Sequence, residues 1–151
     1  MAVLEILTYP HPVLRQKALP VINFDNDLET LVENMFDTVD YFKGVALAAP
    51  QIGILERILV VNYKKKKKIL VNPEIIEEEG ELVDMEGCLS LPGAGIYVPR
   101  AKKIKVEAYN LSGEKIVIKE KGWMARIIQH EFDHLNGMLI IDRDINKNIL
   151  L

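Results

Sequence analysis

The sequence predicts an α+β fold: antiparallel β-sheets built from hairpins, packed around a central helix, with a further packing helix near the N-terminus. Three observations carry this. Residues 27–42 place apolar side chains at helical spacing. Residues 57–119 form a succession of strand-like runs separated by turn residues. Residues 122–135 return to helical spacing and carry His130-Glu131-Phe132-Asp133-His134. Strands grouped between helices, instead of alternating with them, favour α+β over βαβ units.

The elements follow in chain order. Tyr9-Pro10-His11-Pro12 reads as a rigid loop, because each proline fixes φ and disfavours helix before it; His11, with no partner motif, reads as structural. From Asp27 to Phe42, the residues Leu28, Leu31, Val32, Met35, Phe36 and Val39 mark one helical face. Asp25, Asn26 and Asp27 are all candidate N-caps, and Gly44 a candidate stop. Strands are expected over 57–62, 69–71, 74–83, 103–109 and 114–119. Asn110-Leu111-Ser112-Gly113 forms the turn between the last two. In the second helix Trp123, Ile127, Ile128 and His134 are the candidate inward positions, and Gly137 ends it. The run Lys64 to Lys68 between two strands is read as a solvated hairpin tip, since like charges repel and stay in water. The alternative is a local contact with ribosomal RNA.

Composition bounds the function. The 151 residues fit one domain, 1–151. A net charge of -3 argues against DNA as a partner, because nucleic-acid-binding domains carry a basic footprint. No apolar run approaches the ~20 residues a membrane helix needs. Met1 to Leu7 is apolar but carries Glu5 and lacks a basic leader, so no signal peptide is expected. The one cysteine, Cys88, excludes an intrachain disulfide and fits a reducing compartment. The expectation is a cytoplasmic monomer, with an organellar matrix as the other location.

The sharpest chemical signal is H-E-x-x-H, His130 to His134, in a helical segment. Residues four apart share a helix face, so both imidazoles reach one metal ion, and Glu131 beside them can take a proton from a metal-bound water. The bland alternative is two incidental histidines on an amphipathic helix. Two of the three histidines at this spacing, with the glutamate in place, favour the metal. A third ligand is needed, and the usual downstream sources fail: no glutamate follows Glu131, and Ile140 stands where an extended motif would have histidine. Cys88 is the remaining soft donor. A thiolate and two imidazoles with one open position make a sound catalytic site.

Three motifs in chain order give these residues a family likeness. Gly44-Val45-Ala46-Leu47-Ala48-Ala49-Pro50-Gln51 follows G-x-G-[hydrophobic]-[A/S]-A-x-Q, with Ala46 replacing the second glycine. Glu86-Gly87-Cys88-Leu89-Ser90 matches E-G-C-L-S, and Gln129 to His134 matches Q-H-E-x-D-H. The chain resembles the peptide deformylases over nearly its whole length, with Tyr9 to Arg15, Val98 to Ala101 and Gly122-Trp123 also of familial type. The resemblance implies hydrolytic removal of the formyl group from the formylmethionine of nascent polypeptides. It implies Cys88, His130 and His134 as metal ligands, Glu131 as general base and then acid, and Gln51 and the Leu89 N–H as oxyanion donors. Val45, Ala46, Gly87 and Ile127 would contact substrate, with Val45, Ile127 and His130 lining the methionine pocket. One divalent ion per chain is implied, Fe2+ in the cell, with Zn2+, Ni2+ or Co2+ in purified protein. Many bacterial members continue into a C-terminal helix, for which little chain follows the third motif here. The alternatives are a metallopeptidase or other metal amidase, or an inactive peptide-binding homologue.

Overall fold

The structure, a computed structural model, describes residues 2–146. The first helix, α1, spans Asn26–Tyr41, one residue earlier at each end than the periodicity predicts. Asp25 is the cap: its side chain accepts the Leu28 N–H at 3.1 Å, a contact worth about 1 kcal/mol. Leu28, Val32, Met35 and Val39 form the buried face. The helix does not stop on Gly44. Lys43 adopts the left-handed φ of +56°, and Gly44 serves a different need. A Cβ on Gly44 would lie 2.9 Å from Cδ1 of Leu89, so glycine lets the two segments approach.

Seven strands follow: β1 Ala46–Ala48, β2 Ile58–Tyr63, β3 Lys66–Glu79, β4 Leu82–Cys88, β5 Leu91–Arg100, β6 Lys103–Tyr109 and β7 Lys115–Lys121. Among the described residues these strands pair antiparallel throughout, giving a five-stranded sheet in the order β1-β2-β3-β6-β7 and a separate β4-β5 pair. The runs expected at 69–71 and 74–83 divide differently. The first and most of the second join into β3, which bulges at Asn72 (φ +50°) and resumes pairing at Glu74 with Glu107. At the bulge the Asn72 side-chain amide is tied to Val21, accepting its N–H at 2.8 Å and donating to its carbonyl at 3.0 Å. The sequence does not predict β1, β5 or the part of β4 beyond Val83 as strand.

The lysine run is only partly a hairpin tip. Lys64 and Lys65 make the two-residue turn, both at positive φ, whereas Lys66 to Lys68 belong to β3. Lys67 lies over the Phe36 ring and Lys68 pairs with Glu120 at 3.6 Å.

Strand β2 shows how the core is divided. Alternate side chains of a strand point to opposite faces. Ile58 and Val60 pack with Val32, Met35 and Val39 of α1, while Leu59 and Val61 pack with Ile128 and Leu135 of the second helix. All four strand residues are fully buried, which is why β2 is continuously apolar.

That second helix, α2, spans Gly122–Leu135, as the periodicity predicts. It is central: one side packs on the five-stranded sheet, and the other meets β4 and β5, where Arg126 reaches Leu82 O and Val98 O. Ile127, Ile128 and His134 point inward as expected, but Trp123 is 47% exposed in the first turn. Gly137 follows the helix at φ +73°, where a Cβ would collide with the Arg15 carbonyl. A 3-10 turn, Ile140–Arg143, closes the described chain. Residues 147–151, on which the expectation about a C-terminal helix falls, lie outside the described residues. His11 has the structural role expected of it, its Nδ1 accepting the Val13 N–H at 3.2 Å. No helix among the described residues is long and apolar enough to cross a membrane.

Candidate active site

The site forms where the end of β4, the turn after β1 and one face of α2 converge. Cys88 is the last residue of β4. His130 and His134 are one turn apart on α2. Their donor atoms and the Cys88 sulfur all lie within 4.8 Å of one another, and Sγ of Cys88 is 3.4 Å from Nε2 of His134. Both histidines are buried and Cys88 is half-buried.

Gln51 arrives on a 3-10 turn, Ala49–Ile52, directly after β1. Its Oε1 accepts the Ala48 N–H at 2.9 Å, which fixes the amide orientation. Nε2 then points into the site, 3.2 Å from Oγ of Ser90 and 3.7 Å from Sγ of Cys88.

Charge around the histidines is arranged by burial. Glu86 bonds Nδ1 of His130 at 2.9 Å and takes a bidentate pair from Arg100, also at 2.9 Å. Burial raises the Glu86 pKa, but His130 and Arg100 outweigh it and hold the carboxyl at about 2. Burial is also the largest influence on His130 and opposes its charge. Glu131, Cys88 and Glu86 together still push the imidazole up to about 10. A metal ion would have to displace that proton, since coordination needs the neutral ring. Burial holds His134 well below the usual range, aided by the charges of His130 and Arg100, which suits a neutral ligand. Glu131 is pushed up to about 7, chiefly by burial. Its Oε1 is buried with no hydrogen-bond partner among the described residues.

A cleft of about 910 Å3 opens onto this cluster. Val45, Ala46, Gln51, Gly87, Cys88, Leu89, Ile127, His130 and Glu131 all line it. His134 lies deeper, behind Cys88. The structure therefore brings together every residue singled out from the sequence. Ala46 sits at negative φ in β1, paired with Val61, so its methyl causes no backbone strain. The donor set, one cysteine sulfur and two imidazoles, fits a divalent transition metal, and a carboxylate oxygen of Glu131 with no hydrogen-bond partner among the described residues lies beside it without belonging to it.

The polypeptide deformylase family profile matches residues 3–148. The chain belongs to that family. It is 49% identical to the peptide deformylase of Heliobacterium modesticaldum over 148 residues, 98% of either chain. The crystal structure of the Thermotoga maritima peptide deformylase superposes with a TM-score of 0.93 at 43% identity, covering 95% of this chain and 99% of that one. The Plasmodium falciparum peptide deformylase superposes with a TM-score of 0.92 at 40% identity, covering 97% and 89%.

The partners of the site residues are not announced by the sequence. Glu86 and Asp133 stand inside the E-G-C-L-S and Q-H-E-x-D-H motifs and Arg100 in the flank Val98 to Ala101, but nothing in the letters assigns them a role. The available signal was an ionisable residue at an inward helical position: Asp133 lies on α2 between residues that face the core and is 5% exposed. A buried carboxylate requires a partner.

Proposed function

We propose that this chain removes the N-formyl group from the formylmethionine of nascent polypeptides by metal-dependent hydrolysis, releasing formate. The observation that carries the reading is the convergence of Cys88, His130 and His134 within 4.8 Å at the floor of a cleft lined by Glu131 and Gln51. Cys88, His130 and His134 would hold the ion, Fe2+ in the cell by family likeness. When bound, it supplies Lewis acidity, which in favourable sites brings the pKa of water from ~15.7 to about 7.

The chain's own residues supply the remaining chemistry. Glu131 takes a proton from the attacking water as the new O–C bond forms at the formyl carbon. The formyl oxygen becomes an oxyanion, and the Gln51 amide and the Leu89 N–H donate to it. The C–N bond then breaks and Glu131 returns its proton to the departing amine; the remaining hydroxyl proton passes from formic acid to that amine, giving formate and a methionine ammonium. In the metal-free site burial pushes this carboxyl up to about 7, and the charge of a bound ion would lower it, which favours the base role that opens the reaction. Val45, Ala46, Gly87 and Ile127 face the substrate, Val45 and Ile127 lining the methionine pocket with His130.

The reading treats residues 1–151 as one catalytic domain acting as a cytoplasmic monomer. Lys64 and Lys65 face water at the turn, and the engagement of Lys67 and Lys68 with Phe36 and Glu120 leaves little for ribosomal RNA to hold. Formate release from a formylated Met-Ala peptide, set against its acetylated twin, tests the function. Cleavage of the internal amide instead would favour a metallopeptidase.

A further inference from the structure

Five charged side chains form a continuous chain of contacts that begins on a proposed metal ligand and ends near the surface. The oxygen Oε1 of Glu86 accepts from Nδ1 of His130 and from Nη2 of Arg100, both at 2.9 Å. Its Oε2 accepts from Nε of Arg100 at 2.9 Å and from Nη1 of Arg126 at 2.6 Å. Arg100 continues through Nη1 to Oδ2 of Asp133 at 2.6 Å. Arg143, in the 3-10 turn, closes on both oxygens of Asp133. The links join α2 to β4, β4 to β5, β5 back to α2, and α2 to the turn. Every member is buried except Arg143, whose side chain is 37% exposed.

This arrangement does more than neutralise charge. A neutral imidazole carries its proton on one nitrogen and offers the other to a ligand, and a carboxylate on Nδ1 selects which. Nε2 of His130 is the nitrogen left toward Glu131, at 4.0 Å. The two histidines differ here. Nδ1 of His134 has no hydrogen-bond partner among the described residues, so His130 alone is oriented by a carboxylate. Glu86 in turn is held on both oxygens, so its rotamer is set by Arg100 and Arg126. The direction of Arg100 depends on Asp133, and Asp133 is clamped by Arg143.

We propose that Glu86 is the positioning residue of His130, and that Arg143 acts on it remotely through Asp133 and Arg100. The proposal rests on the reading of Cys88, His130 and His134 as the metal donors. A merely structural network would only dock the 3-10 turn. Arg15 offers the control, because it anchors the same turn through Asp142 without touching Asp133.

The test is Co2+ binding to the chelator-stripped chain, read as affinity by competition with a chromophoric chelator and as the visible spectrum. Wild type should bind one ion with a thiolate-to-cobalt band. Glu86→Gln should bind roughly 10- to 100-fold more weakly with shifted bands. Arg143→Ala should weaken binding roughly 2- to 30-fold, and Arg15→Ala should match wild type. Wild-type affinity and spectrum in Glu86→Gln would overturn the proposal, as would equal weakening by Arg15→Ala and Arg143→Ala. If Glu86→Gln does not fold, ring 1H–15N correlations of the Zn2+-loaded wild type decide instead. A proton on Nδ1 of His130 supports the proposal, and one on Nε2 overturns it. Failure of wild type to bind Co2+ at all would sink the underlying metal reading and the proposal with it.

Discussion

Oε1 of Gln51 accepts the Ala48 N–H at 2.9 Å, and that bond turns the amide nitrogen of Gln51 toward Cys88. Gln51→Glu keeps the acceptor for Ala48 but puts an oxygen where the donor was. The variant should retain metal and lose ~100- to 1000-fold in kcat/KM, the usual effect of removing one oxyanion donor. Near-normal formate release would take Gln51 out of the chemistry.

Glu131 contributes no donor atom to the metal cluster, yet its buried Oε1 has no hydrogen-bond partner among the described residues. Glu131→Gln should therefore bind metal as wild type does and turn over ~100- to 10,000-fold more slowly. Metal analysis alongside turnover separates the two effects. Loss of metal together with activity would make Glu131 a ligand instead.

Ala46 departs from the family motif, but its negative φ and its pairing in β1 mean that no strain is stored there. Ala46→Gly should leave stability equal or slightly lower, since glycine adds freedom to the unfolded chain. It should change kcat/KM for short formyl-Met peptides less than ~10-fold. A much larger gain would show that the methyl obstructs the cleft it lines.

The Glu86–His130 pair gives the metal-stripped chain a bell-shaped stability term. The Glu86 carboxyl is depressed from 4.5 to about 2, so its contribution is present above about 4.5 and lost as pH falls through about 2. The His130 pKa is raised from 6.5 to about 10, so its contribution is complete below 6.5 and lost as pH rises through about 10. Denaturant unfolding of wild type and Glu86→Gln should thus differ most between about pH 4.5 and 6.5. The gap should shrink on both sides. A gap independent of pH would show that the pair is not ionised as described.

Much of this was legible in the sequence, for identifiable reasons. Helix α2 and strand β6 fall where the letters put them, because their apolar periods are clean and Gly122 and Gly137 bracket the helix. Strand β5 was hidden by Pro92, Gly93, Gly95 and Pro99, residues that mark turns elsewhere but are tolerated in a two-stranded ribbon with free edges. Strand β1 is three residues long and carries no period to read. The metal donors and Gln51 were readable as motifs. Their supporting shell was not: Glu86 meets Arg100 across 14 residues and His130 across 44, Arg100 meets Asp133 across 33, and only the fold closes those distances.

The central claim is that one metal ion at Cys88, His130 and His134 drives deformylation. The most direct measurement is formate release from formyl-Met-Ala by the metal-stripped chain as Fe2+ is added stepwise without oxygen, with acetyl-Met-Ala in parallel. Formate release should rise to a plateau at one ion per chain, with the acetyl group untouched and the Met-Ala bond intact. Turnover without metal, or cleavage of the internal amide in place of formate release, would contradict the account.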